Sequence, residues 1–467
     1  MSYPEYLGEP AELPGRGESA RPARIREWPH AEWLAVSAVA FGAITTSLDT
    51  GVVTIAYPQL GHQLHRPLSQ IAWLVLVSQL TVVSTLVLFG KRADTVGRKR
   101  VYLDGFVLFL IGAAACALAP NFDLLLVARV VEALGVAMIQ ANSVALVVAS
   151  VKSSHRSTAL GIQASAQAIG LATGPFLGGL LVGVVGWRVI FLISTPLALV
   201  AFGASIIFLP RSRTTTPAQP LNFAGAGVLA LAAGGLIGGL SLAARSGWRG
   251  STLGVFAVGV AAAIALLPTE RRSPAPLFDR ALLASSLIRR SLASVLFTWI
   301  TFFALLTSIP FFVERVLGRS ISTGGVVTMA IPGGLVLIAP LIGRLRHHSS
   351  PAVIARVAGV LVLVGCVGAA SSGATWQLVA ALFVVGVGVG GSNTSNSASI
   401  MECVEPGERG VGSGLINLAR AGGSAVGVAL ASTAIELSGT TNVRVALWAI
   451  SGSAAVSLVV AWWPQRS

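Results

Sequence analysis

Charge is what this 467-residue chain has least of: Asp, Glu, Lys and Arg together make up 11% of it, against about 25% in an ordinary soluble protein. A normally solvated globular surface is excluded on that ground. Cysteine is nearly as scarce. Cys116, Cys366 and Cys403 cannot build a disulfide framework and follow no metal-site spacing; the first two fall inside apolar runs and read as small buried hydrophobes. The six histidines are scattered. No Walker loop is present, so a nucleotide-driven pump is disfavoured, and no other enzyme signature, metal set or cofactor motif takes its place. A receiver domain and a continuous pore motif are missing too, which sets aside a membrane sensor and a channel. The first 32 residues mix Glu with Arg and lack the basic region and small-residue cleavage site of a signal peptide, so Trp33 onward is expected to stay.

Apolar residues are present in abundance, at 54% of the chain with a mean hydropathy of +0.79. At about 20 apolar residues per membrane-crossing helix, there is room for roughly a dozen spans and little else. Fourteen apolar stretches can be traced, at 33–57, 70–90, 101–120, 123–150, 157–184, 188–209, 223–243, 252–268, 291–313, 323–343, 353–371, 375–400, 411–434 and 444–463. The fold class expected is therefore an all-α polytopic membrane protein with fourteen spans. The pair at 223–243 and 252–268 admits a re-entrant alternative that would leave twelve, although the apolar length of 223–243 favours crossing. The net charge of +14 sits mostly in short gaps between apolar runs, so the partner it points to is an anionic bilayer surface and not nucleic acid. Most of these basic residues face inward if both termini are cytoplasmic, as the positive-inside rule requires.

One offset aligns three separated places. Adding 253 carries Gly90 to Gly343, Gly135 to Gly388, and Arg156, Gly161, Gly170 and Gly174 to Arg409, Gly414, Gly423 and Gly427. A duplicated six-helix unit follows, with a cytoplasmic tail at 1–32, a first bundle at 33–209, a linker with two inserted helices at 210–290, a second bundle at 291–463 and a short tail at 464–467. Repeated halves of this kind place a transport site at the midplane between two rocking bundles. The copies differ in charge: Asp49, Arg129 and Glu132 map onto Phe302, Leu382 and Val385, while Arg420 maps onto Gln167.

Asp49, Arg129, Glu132 and Arg420 lie well inside apolar stretches. Each costs about 2.5–3.5 kcal/mol at a helix centre, so each needs a partner, a wet cavity or neutralisation. At about 1.5 Å per residue, Asp49 stands roughly 24 Å from a cytoplasmic start at Trp33. Arg129 stands roughly 9 Å from an outer start at Asp123, so in a core of ~30 Å the two share nearly one height. Glu132 follows Arg129 by one turn on the same face. A fixed ion pair locking the first helix to the fourth is one reading. The favoured one is a titratable carboxylate whose proton is exchanged against substrate, with Asp49, Arg129 and Glu132 as the proton-coupling group. Arg420 fits a packing role and a substrate contact equally. Asn393 and Asn396, in a polar run aligned by the repeat with Gln140 and Ser143, fit interhelical bonding or cavity lining.

The stretch Gly90–Arg100, GKRADTVGRKR, resembles the G-x-x-x-D-x-x-G-R-[KR] loop of the major facilitator superfamily and follows the second span as that loop does. Arg129–Gly135, RVVEALG, is similar to the family's R-x-x-Q-G-x-G, and Gly170–Gly179, GLATGPFLGG, to its antiporter motif. Leu48-Asp49-Thr50 with Ala56-Tyr57-Pro58, and Trp187-Arg188 with Phe191 and Pro196, resemble motifs of the fourteen-helix drug:proton antiporter branch. The resemblance implies two six-helix bundles plus two inserted helices. It implies a conformational latch at Gly90, Asp94, Gly97 and Arg98, and a path-sealing helix at Gly170, Gly174, Pro175, Gly178 and Gly179. It implies a multi-pass cell-membrane protein, active as a monomer, that exports small, largely apolar organic molecules by alternating access. The proton gradient would drive it, with no cofactor. A symporter or facilitator importing a small nutrient would use the same Asp49. The pattern is departed from at Glu132, where the family has Gln, at Ala133, where it has Gly, and at Ser78, where the branch often has Tyr.

Overall fold

Inside hydrocarbon no water satisfies a backbone N–H or C=O, so long apolar runs bond within themselves as helices. The structure, a computed structural model, describes residues 18–19, 30–152, 155–212, 222–246, 249–273, 284–345, 349–403, 409–437 and 443–462. Its helices are α1 (Ala31–Ile55), α2 (Tyr57–Gln63), α3 (Leu68–Ile71), α4 (Trp73–Val96), α5 (Arg98–Leu118), α6 (Phe122–Ser150) and α7 (Arg156–Val185). A 3₁₀ turn at Trp187–Phe191 leads into α8 (Thr195–Phe208), then α9 (Phe223–Ser246), α10 (Gly250–Arg272) and α11 (Ser286–Arg315). The chain closes with α12 (Ile321–Thr328), α13 (Ala330–Leu345), α14 (Pro351–Ser371), α15 (Thr375–Cys403), α16 (Arg409–Leu437) and α17 (Val443–Trp462). Glu18–Ser19 pairs antiparallel with Arg211–Ser212.

Ten segments among the described residues are long and apolar enough to cross a membrane, with Phe223–Gly239 and Thr323–Ile338 as shorter apolar helices. The single run expected at 323–343 is two helices, α12 and α13, broken at Met329. Pro332 supplies the reason: it has no N–H to give the preceding turn, so hydrogen bonding cannot continue smoothly through it. The run at 188–209 likewise starts as a 3₁₀ turn before Pro196 at the head of α8. Large apolar side chains stand open on the outer faces, among them Ile111, Leu118, Val185, Leu199 and Ile264. On a water-soluble surface they would be a liability; against lipid they are the solvent-matched face. The helix α1 begins at Ala31, within the stretch assigned to the tail, and residues 464–467 lie outside those described.

Glycine sets how closely the helices approach. A methyl added at Gly135 would stand 2.6 Å from the Gly105 carbonyl and run into the backbone of Phe109, which ties α6 to α5. The same contact recurs 253 residues later, where a methyl at Gly388 would stand 2.7 Å from both the Ala358 carbonyl and the Val362 nitrogen, between α15 and α14. Gly112 faces the backbone of Glu132, and Gly365 faces that of Val385, at the same spacing. Gly170 and Gly174 of α7 lie on the carbonyls of Ile44 and Leu48 in α1, while Gly423 and Gly427 of α16 lie on those of Leu296 and Ile300 in α11. Here the partner helix is displaced by one residue less, so the packing counterpart of Asp49 is Thr301 and not Phe302. The helix α11 has no glycine to match Gly42 and Gly51 of α1, so no repeated glycine reveals the register. The helix α9 packs on α16 and α4, and α10 packs on α9.

Overfilling such a contact costs about 1–3 kcal/mol. Gly135→Val is expected to lower the thermal unfolding midpoint in detergent, read by fluorescence-detected size exclusion. Gly203→Ala, at a site with no atom within 4 Å of an added methyl, is expected to leave it unchanged.

Candidate functional site

The helix α6 carries Arg129 and Glu132 one turn apart on the face it presents to α1, α4 and α5. Arg129 Nη1 donates to Asp49 Oδ1 at 3.1 Å and to Glu132 Oε2 at 2.7 Å, and Nη2 donates to Asp49 Oδ2 at 3.3 Å. The guanidinium also donates from Nε to the Leu74 carbonyl and from Nη2 to Ser78 Oγ, each at 3.3 Å. Its carbon lies 5.6 Å from the centre of the Phe191 ring. Asp49, Arg129 and Glu132 are 2%, 1% and 0% exposed, so water does little to offset their charge. Asp49 and Arg129, which depth arithmetic brings to nearly one height, are in contact, and Glu132 joins Arg129 from one turn along α6.

Neighbouring residues that sequence reasoning passes over complete the cluster. Cys116 Sγ donates to Glu132 Oε2 at 3.4 Å. Glu132 Oε1 has no hydrogen-bond partner among the described residues. Gly112 is required because the backbone of Glu132 occupies the space of its missing side chain. Ser78, the departure from the family pattern, gives Arg129 a short acceptor. None of these carries a sequence signal of its own, since a small residue in an apolar helix reads as packing.

A cavity of about 170 Å³ opens beside the cluster. Its walls come from α1, α4, α6 and α7 on one side and from α11, α13, α15 and α16 on the other, with Asp49 and Arg129 in the lining. Gln140, Asn393 and Arg420 line it. Asn396 does not: its Nδ2 donates to Ser294 Oγ at 2.9 Å and to the Ser392 carbonyl at 2.8 Å, tying α15 to α11. Gln79, Gln167, Trp299, Phe303 and Asn417 also line the cavity. The repeat contains the signal for Gln167. Gln140 corresponds to Asn393 and Gln167 to Arg420, and all four face the same space.

In the loop motif, Gly97 sits between α4 and α5 at φ 107°, a conformation other residues adopt only with strain. Arg98 is the first residue of α5. Gly90 has open space around it. The backbone of Asp94 lies in the last turns of α4, but its side chain is outside the described residues. Lys99 Nζ donates to the carbonyls of Ile206 and Leu209 at 2.7 and 2.8 Å, where a cation suits the negative end of α8. Gly178 and Gly179 are buried in α7, which continues past Pro175 to Val185; the side chain of Pro175 is outside the described residues.

The family profile described as Major Facilitator Superfamily matches residues 39–230, 221–428 and 339–466. The riboflavin transporter RibZ of Clostridioides difficile is 26% identical over 88% of this chain and 90% of its own length. The methylenomycin A resistance protein of Streptomyces coelicolor is 28% identical over 90% of this chain and 87% of its own. The multidrug resistance protein Stp of Mycobacterium tuberculosis is 28% identical over 85% and 74% respectively.

Removing one partner of a buried charge cluster costs about 3–5 kcal/mol, because the remaining charge stays buried and unpaired. Arg129→Ala is expected to lower the unfolding midpoint sharply. Adding Asp49→Asn and Glu132→Gln to it should recover much of the loss, a coupling that a thermal-shift comparison of the variants reads directly.

Proposed function

Since this chain belongs to the Major Facilitator Superfamily, we propose that it is a proton-coupled exporter of small, largely apolar organic molecules, working by alternating access. The observation that carries this reading is a buried cluster of one guanidinium and two carboxylates on the wall of a cavity between two sets of helices. One cation cannot neutralise two acids, and an excess charge in that setting is costly. A single proton shared by Asp49 and Glu132 restores balance. When a transported molecule enters beside Arg129 it changes the field on that proton, and the proton can leave to the other side. The differential interaction that moves a two-state carrier is thereby supplied. Resistance proteins among the relatives support the direction of transport.

The same reading includes fourteen spans in two six-helix bundles with α9 and α10 inserted, both termini cytoplasmic, in the cell membrane and active as a monomer. The glycine contacts repeated at one spacing support the duplication. The apolar helices α9 and α10, packed on each other, support the insertion. In this reading Gly97 gives the α4–α5 latch its turn, and Gly170 and Gly174 hold α7 against α1. A proton symporter importing a small organic nutrient is the second reading, favoured by the riboflavin transporter among the relatives.

Inverted vesicles with an imposed pH gradient separate the two, with methylenomycin A and riboflavin as first probes. Export predicts uptake into inverted vesicles when their lumen is acidic. Asp49→Asn is expected to abolish this uptake while leaving probe exchange without a gradient partly intact. If Asp49→Asn vesicles still concentrate the probe, the proton is carried elsewhere and Glu132 becomes the candidate.

A further inference from the structure

Two arginines line the cavity, and they are held very differently. Arg129 has two carboxylates against it. Arg420, on α16 across the cavity, has only neutral partners among its hydrogen bonds: Nε donates to Asn393 Oδ1 at 3.1 Å, Nη1 to Asn417 Oδ1 at 3.3 Å and Nη2 to Ser397 Oγ at 3.3 Å. These bonds fix its direction and leave its full charge. Among the described residues no acid other than Asp49 lines the cavity, and Asp49 is already engaged by Arg129. A cation in a membrane interior without a counter-charge is expensive, and pure packing would be served as well by the Gln that stands at the repeat-related position 167.

Aromatic rings stand beside this charge. Trp299 and Phe303 line the same cavity, nearly parallel at 26° with ring centres 5.8 Å apart. The Trp299 indole donates from Nε1 to Asn393 Oδ1 at 3.3 Å, so one amide oxygen orients both Trp299 and Arg420. The Arg420 guanidinium carbon lies 5.7 Å from the Trp299 ring centre. A fixed cation and a fixed flat apolar surface are therefore presented together.

We propose that this cavity takes small organic anions with a flat conjugated body, the anionic group at Arg420 and the rings against Trp299 and Phe303. The inference rests on reading the cavity as the site of the transported molecule. A carboxylate or phenolate supplies the counter-charge that Arg420 lacks, through charge-assisted hydrogen bonds. A flat body gains stacking that a compact one does not. A cationic molecule meets Arg420 directly and would have to compete with Arg129 for Asp49.

Equilibrium binding to the purified protein in nanodiscs, without any gradient, tests this with three probes of one body and different charge: 1-naphthoate, 1-naphthamide and 1-naphthylmethylammonium. Wild-type protein is expected to hold 1-naphthoate about tenfold or more tightly than either of the others. Arg420→Gln should erase that preference, and Arg420→Lys should restore part of it. Equal binding of the three, a preference for the cation, or no binding of 1-naphthoate overturns the proposal. If Arg420→Gln fails to fold, the wild-type ranking and Arg420→Lys still decide. The proton reading fails separately. A protein that ranks the probes as expected yet ignores a pH gradient loses only the coupling, and one driven by the gradient that prefers the cation loses only the anion site.

Discussion

Arg129 is the constraint on which the rest of the structure hangs. A guanidinium carries five N–H donors in a fixed fork, and here they reach α1 through Asp49, α4 through Leu74 and Ser78, and the same helix through Glu132. In a low-dielectric interior none of these groups can be left alone without large cost. The helices that bring them must therefore approach closely and in one register. Gly112 permits that approach on α5, where any side chain would meet the backbone of Glu132. The charge cluster and the small residues around it are one device: the first demands contact, the second allows it.

The close contacts made through glycine lie between neighbours such as α5 and α6, α1 and α7, α14 and α15, and α11 and α16. Backbone against backbone leaves little room to slide, so these pairs move as units. The cavity lies where helices from the two sets meet with side chains and space between them. An alternating-access cycle needs this division, rigid within a unit and adjustable between units. Asp49 and Arg129 belong to one unit and Arg420 to the other, so a molecule held in the cavity touches both and can report its presence across the boundary.

Much of this is legible in the amino-acid sequence. Hydropathy finds the helices because it reports the solvent, and the solvent here is lipid. Depth arithmetic brings Asp49 level with Arg129 because helix rise is constant. The repeat finds glycines that pack and positions that share the cavity. Other features stay hidden for physical reasons. Hydropathy is blind to which side of a buried helix a Trp faces, so Trp299 passes as one more apolar residue. Cys116 and Ser78 gain meaning only from Arg129 and Glu132 on another helix. Asn396 and Asn393 are three residues apart in one polar run, yet one binds a neighbouring helix and the other faces the cavity. The break at Met329 depends on Pro332 within an otherwise unbroken apolar run, and the register of α1 against α11 is off by one because α11 has no glycine to align with those of α1.

The central claim is that the Asp49–Arg129–Glu132 cluster holds a proton whose binding is linked to occupancy of the cavity. The proton balance on ligand binding measures this most directly, followed with a pH-indicator dye in weakly buffered detergent solution as a saturating ligand is added. The account predicts a change of up to about one bound proton per bound molecule in the wild-type protein and almost none in the Asp49→Asn variant with Glu132→Gln. Binding with no change in bound protons in the wild type, or an equal change in the doubly substituted protein, would contradict it.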